Sequence, residues 1–260
     1  MSWKPARFAK WRYVIPTRIF MSVVGCWAVA WGALVFPVFW QQSSIERIAR
    51  HIVDGDPFRV ELLTDLIPSV EAAEQMQYCR PVVRQAAALI WLRIVEQTIA
   101  AGERKLVDSH MDSLRQSVVR SLECSPADSF LWVALFWIES RQNGFRSRYA
   151  SYLDMSYHFG PNEGWVGLKR NRIAFSVLEG LPPDLREAAV KEFVMLLDSG
   201  FVRETATVFL GPAWPVRNTL LPRLTRVMEG RRKAFANLLH TEGYEVDVPG
   251  IERAHPRPWR

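Results

Sequence analysis

Residues 19–40, IFMSVVGCWAVAWGALVFPVFW, form an uncharged run of 22 residues. As an α-helix rising 1.5 Å per residue, the run reaches about 33 Å, enough to cross a hydrocarbon core of roughly 30 Å. It decides the fold because it divides the chain into three parts. A basic tail (1–18) precedes a transmembrane helix (19–40), and a polar body (41–244) follows that must fold in water. Ile19 opens the span. Trp27, Trp31, Phe39 and Trp40 are its aromatic anchors, with Trp40 placed for an interfacial belt. A cleaved signal peptide is the competing reading, since Ala28-Val29-Ala30 resembles a cleavage site. Cleavage there would leave Trp31–Trp40 as a bare apolar N-terminus, which favours the uncleaved anchor.

Working outward, the formal net charge of +6 belongs to the tail. Lys4, Arg7, Lys10, Arg12 and Arg18 stand before the span with no acid among residues 1–40, and the other 220 residues balance 28 basic against 27 acidic side chains. A nucleic-acid surface is therefore not indicated. After the span, Arg47, Arg50 and Arg59 are interleaved with Glu46, Asp54 and Asp56. The positive-inside rule then puts the N-terminus in the cytoplasm and the body outside.

The body reads as all-α. Ile45, Ile48, Ala49 and Ile52 continue the helical period beyond the span until Gly55, and Asp56-Pro57 is a helix start. Short helices are expected from Val60 to Ile67 and over Ser69–Gln77. The strongest pattern is Arg80–Ala101, stopped by Gly102, with Glu103–Leu122 as the return arm of a hairpin. Further helices are expected over Ser129–Gln142, Arg146–His158, Asn162–Leu178, Pro183–Leu197, from Arg203, and over Asn218–His240. No window reads as a strand pair. Residues 245–260 hold three prolines and no apolar period, and are expected to be disordered.

Pro126 and Pro161 lie 35 residues apart with surroundings in phase, so that Phe130 pairs with Trp165 and Val118 with Leu153. This is the period of a helix–turn–helix repeat, in which each unit buries its apolar face on its neighbour. Segment 129–161 resembles a tetratricopeptide repeat. Trp132 falls on the family's first aromatic position, Leu135 on its leucine, Leu153 on the large apolar position of the second helix, and Pro161 on the closing proline. With Trp165, these residues make the expected repeat core. Phe136 and Tyr149 depart from the pattern, standing where the family has small residues. More widely, the phrases SLECSPADSFLW, YLDMSYHFGPNEGW and LPPDLREAAVKEF resemble periplasmic repeat domains of bacterial exopolysaccharide and O-antigen assembly systems. That resemblance implies one N-terminal anchor helix, partners among the envelope proteins of such a system, and no catalytic residues.

The chemistry-bearing residues agree with a non-enzymatic reading. His51, His110, His158, His240 and His255 lie far from one another and from any Cys at ligand spacing, so no metal or other cofactor is expected. Glu139-Ser140 resembles the Glu-Ser of lytic transglycosylases, whose glutamate is a general acid. The cleft-forming half of that motif is missing from Tyr152–Ser156, and Glu139 reads better as a polar residue near a helix end. Aromatic residues could line a sugar groove, but more of them read as core. Arg146, Arg148, Arg170 and Arg172 could face an anionic polymer, but read better as a solvated face.

Three cysteines remain. Cys79 and Cys124 are nearly equidistant from the Ala101-Gly102 turn, so a hairpin would bring them together at its open end. A bridge there requires the second arm to end near Leu122; the alternative is two separately buried thiols. Cys26 lies within the span and is expected to be free. The sequence thus points to a membrane-anchored scaffold or accessory factor for surface-polysaccharide assembly. An envelope chaperone or division scaffold that binds peptides is the alternative, and a muramidase-like hydrolase using Glu139 is a third reading.

Overall fold

The computed structural model describes residues 11–53, 56, 58, 60–75 and 79–252, with the side chains of 11–15, 37–43, 60 and 61 outside the described set. Among the described residues every element is helical. Two compact units divide the chain, Met1–Gln97 and Thr98–Arg260, so the body expected over 41–244 is shared between them.

The first unit is organised by one helix, α1 (Trp11–Val53). Within it Pro16–Phe36 is long and apolar enough to cross a membrane, and none of this window is buried by the rest of the chain. The helix begins at Trp11, so the tail expected over 1–18 is helical in its second half. Past the span α1 becomes amphipathic, with Ile45 and Ala49 buried and Arg47 and Arg50 exposed. Three more helices close this unit: α2 (Val60–Thr64), α3 (Ile67–Glu74) and α4 (Pro81–Ala101). Leu63, Val70, Ala73, Val83, Ala87, Ile90 and Ile94 make its core. Side chains fasten the connecting loops, because Gln97 Nε2 donates to the Phe58 carbonyl and Arg84 Nη1 to that of Glu74.

The second unit begins at the end of α4. Gly102 adopts φ of 74°, a left-handed turn that favours glycine, and α5 (Arg104–Cys124) starts at once. Thr98 Oγ1 meets His110 Nδ1 at 3.0 Å across this turn. Next comes α6 (Ser129–Asn143), whose N-cap Asp128 accepts from the Phe130 and Leu131 amides at 3.1 Å. The chain continues through α7 (Ala150–Phe159), α8 (Gly164–Ser176), α9 (Pro183–Asp198), α10 (Val202–Leu210), α11 (Arg217–Leu220) and α12 (Glu229–Thr241). In space α6 packs on α7, α8 on α9 and α10 on α12; α6 also meets α8, α8 meets α10, α7 meets α9, and α9 meets α12. The core of this stack is aromatic. Phe193 meets Phe175, Phe209 and Phe235 at ring-centroid distances of 5.9, 6.3 and 6.4 Å.

Two expectations are corrected here. The single helix expected over Asn218–His240 is broken: a 3-10 turn over Leu221–Arg226 and an extended Met228 separate α11 from α12. Pro222, which has no amide to donate, falls where α11 gives way to the 3-10 turn. The tail expected to be disordered from Glu245 packs as far as it is described. Val248 is buried, Val246 and Ile251 lie against the same core, and Arg232 Nη1 donates to the Pro249 carbonyl at 2.6 Å. These apolar residues follow an extended rhythm, not a helical one, so a search for helical period passes over them. Residues 253–260 lie outside the described set.

Candidate functional site

The densest polar constellation lies where α7, α8 and α9 meet. Arg170 has no exposed surface. Its Nε donates to Glu192 Oε1 at 3.0 Å and its Nη2 to the same oxygen. Nη1 donates to the Ser156 carbonyl at 2.7 Å and to Ser156 Oγ at 2.9 Å, and Nη2 to the Gly160 carbonyl at 3.0 Å. The guanidinium also lies 4.2 Å from the centroid of the Tyr157 ring. Tyr157 Oη donates to Glu192 Oε2 at 3.2 Å, and Asn171 Nδ2 donates to the Ala189 carbonyl at 2.8 Å. Burial drives the Tyr157 hydroxyl well above the ordinary phenol range, with the Glu192 charge adding to the shift. Burial also raises the Glu192 carboxyl, although Arg170, Tyr157 and Asn171 pull it back down.

This cluster joins the ends of several helices. Its hydrogen bonds carry over to α6, since Ser156 Oγ donates to the Ser129 carbonyl at 2.8 Å and Ser129 Oγ to Glu163 Oε2 at 2.7 Å. Gly160 permits the close approach, as a Cβ there would collide with the Ser129 side chain. Arg170 was expected on a solvated face; it is the reverse. A signal was present in its spacing, because it lies midway between Val166 and Ala174 on one buried stripe, as Glu192 lies between Ala189 and Leu196. With every nitrogen of the guanidinium engaged and no opening to solvent, the arrangement fastens helices and has no room for a substrate.

Glu139 is the other buried acid of interest. Its Oε1 accepts from Arg115 Nε at 2.7 Å and its Oε2 from Asn143 Nδ2 at 3.1 Å. A carboxylate held by both oxygens ties α5 to α6. Beside it, Trp132, Tyr152 and Tyr149 form a ladder of near-parallel rings, with centroids 6.0 and 6.2 Å apart. Arg148 caps the ladder, 4.9 Å from the Tyr149 ring. Nearby runs an open polar depression along α5, lined by Asp112, Arg115, Gln116, Arg120 and Glu123.

The expected repeat core is corrected in part. Leu135 and Leu153 are buried, but Trp132 is half-buried, Pro161 is exposed and Trp165 is 47% exposed. Trp132 turns its indole outward because Nε1 donates to the Pro126 carbonyl at 2.7 Å and so stays near the helix end. Trp165 lies on the surface against Phe130, with ring centroids 5.0 Å apart. Phe130, Leu131 and Phe136 fill the interior in their place.

Of the anchor residues, Ile19, Trp27 and Trp31 are exposed on α1, and the two indoles stack at 5.9 Å. The side chains of Phe39 and Trp40 lie outside the described set. Cys79 and Cys124 are each disulfide-bonded and Cys26 is a free thiol. Helix α5 continues to Cys124, so the early end at Leu122 that the bridge was expected to require does not occur. Among the described residues no group of three His, Cys, Asp or Glu is placed to hold a metal ion. Compared with protein-family models, curated proteins and solved structures, the chain matches none.

Proposed function

We propose that this chain is a membrane-anchored, non-enzymatic scaffold of the bacterial envelope, assisting the assembly or export of a surface polysaccharide. The observation that supports a scaffold is the order of packing in the second unit. First helices α6, α8 and α10 follow one another, and second helices α7, α9 and α12 do the same. Stacking of hairpin on hairpin is how a helical repeat buries its faces, and it yields extended surfaces suited to partners. Residues 35 apart touch across it, as Phe130 and Trp165 do. The ion pairs also favour this reading, since buried Arg170–Glu192 and the exposed Arg115 with buried Glu139 join helices.

The exposed apolar helix favours a single-pass anchor, and the basic residues before it favour a cytoplasmic N-terminus. Two disulfide-bonded cysteines suit an oxidising compartment for the body. The polysaccharide context rests on the sequence phrases quoted above. Deleting the gene and complementing it with the full chain tests the reading. Surface polysaccharide should fall on deletion and return with the wild type and with Glu139→Gln. Unchanged polysaccharide in the deletion would refute the context, and failure of Glu139→Gln at normal abundance would revive a hydrolase.

A further inference from the structure

Two neighbouring helices of the second unit, α6 and α8, turn charge of one sign toward solvent. On α8 the exposed residues Trp165, Lys169, Arg172 and Ser176 follow positions i, i+4, i+7 and i+11, a single stripe along the helix. The other side sends Val166, Arg170 and Ala174 into the core. On α6 the residues 35 positions before Arg172 and Ser176 are Trp137, half-buried, and Arg141, exposed. Phe130 and Trp165 are also 35 apart, and their rings meet at 5.0 Å, so the stripe continues in register from α8 onto α6.

The charges on this stripe are unbalanced. Residues 129–143 and 164–176 contain one acid, Glu139, and it is buried and held by Arg115 and Asn143. Among the described residues Arg141, Lys169 and Arg172 enter no ion pair. Glu163 and Glu179 stand beyond the two ends of α8, and Glu163 accepts from Ser129 Oγ. On α10 an exposed Arg203 is followed at once by an exposed Glu204, and the cationic stretch stops there. Lys169 and Arg172 are about 4.5 Å apart along α8, and packed helices lie about 8–10 Å from one another, which places Arg141. Cations this close without counter-charge raise the local concentration of anions. Trp165 adds a flat apolar ring to the same stripe. It is 47% exposed and backed by Phe130, so little side-chain freedom is lost when it is covered.

We propose that this face of α6 and α8 binds an acidic sugar chain, with carboxylates on Arg141, Lys169 and Arg172 and a sugar ring on Trp165. The proposal rests on the polysaccharide reading above and names the chemistry of that polymer. Charge selects an anion. The indole selects a sugar, because the C–H face of a pyranose packs on an aromatic ring, whereas an acidic peptide would use the cations and leave Trp165 bare.

Titration of the full chain in detergent micelles with polygalacturonate tests this. Arg141→Gln, Lys169→Gln and Arg172→Gln together should weaken binding about tenfold, as expected for three exposed charge contacts. Arg186→Gln, Lys191→Gln and Lys233→Gln remove the same charge from exposed positions of α9 and α12, and should leave binding unchanged. Trp165→Ala should weaken binding of polygalacturonate with the helical circular dichroism retained, and neutral dextran should not bind. No binding of polygalacturonate, equal loss in the two triple variants, or equal binding of dextran overturns the proposal. So does polyglutamate binding as tightly as polygalacturonate, which would mark a site for acidic peptides. The gene-deletion phenotype tests the wider reading on cells and this titration reads the purified chain, so the two failures are told apart.

Discussion

Arg170 and Glu192, 22 residues apart on neighbouring helices, form an ion pair in which the guanidinium has no solvent-exposed surface at all. The desolvation of such a pair is offset only because every donor is used: Ser156, Gly160 and the Tyr157 ring complete the shell. Removing one partner strands the other. Arg170→Met or Glu192→Leu alone should each cost about 3–5 kcal/mol in unfolding free energy, whereas the double substitution should recover most of that loss. Additive losses in a double-mutant cycle would show that the two side chains do not act as a pair.

Tyr157 gives a pH test. Its hydroxyl is held well above the ordinary phenol value of 10.0 by burial. The folded state therefore keeps the proton where the unfolded state releases it, so this group's contribution is full below pH 10 and is lost as pH rises beyond it. In a titration followed by tyrosinate absorbance, one of the six tyrosines should ionise only with unfolding. Tyr157→Phe should remove that step at a cost of about 0.5–1.5 kcal/mol for the lost hydrogen bond. Full titration of all tyrosines in the folded protein would contradict the buried placement.

Core position, more than aromatic size, sets the cost of truncation. Phe193 is fully buried among three phenylalanines, and Phe193→Ala should destabilise by about 3–5 kcal/mol. Trp132 is half-buried with its indole nitrogen on a helix-end carbonyl. Trp132→Ala should cost about 1–2 kcal/mol. Denaturant unfolding of both variants checks the order, and equal losses would restore Trp132 to the interior.

Legibility in the sequence followed from how local each cause is. The Gly102 turn acts within a few residues and α4 stops there as read, whereas α1 begins at Trp11, eight residues before the span. Proline acts locally too, and Pro222 lies inside the single helix read over Asn218–His240. Burial of Arg170 depends on Ser156, Gly160 and Glu192 converging from separate elements, and charge alone argued for solvent. The outward turn of Trp132 depends on one carbonyl at Pro126. The Pro126 carbonyl leaves no mark on a one-dimensional period, whereas the Val166–Arg170–Ala174 spacing puts the arginine on the buried stripe.

The cysteines allow a chemical test of compartment. Cys79 and Cys124 are each disulfide-bonded, and we propose that they pair with each other. Such a bridge closes a loop of about 46 residues, worth ~4 kcal/mol by loop entropy. Thiol labelling of the denatured, unreduced protein should find one reactive cysteine, Cys26. Three reactive cysteines would remove both the bridge and its support for an oxidising location.

The central claim is that one helix anchors this chain with its helical body on the far side of the membrane from the basic tail. Paired reporters fused after Arg260, one active only in the periplasm and one only in the cytoplasm, measure it most directly. The account predicts activity from the periplasmic reporter alone in the membrane fraction. Activity from the cytoplasmic reporter alone would contradict it.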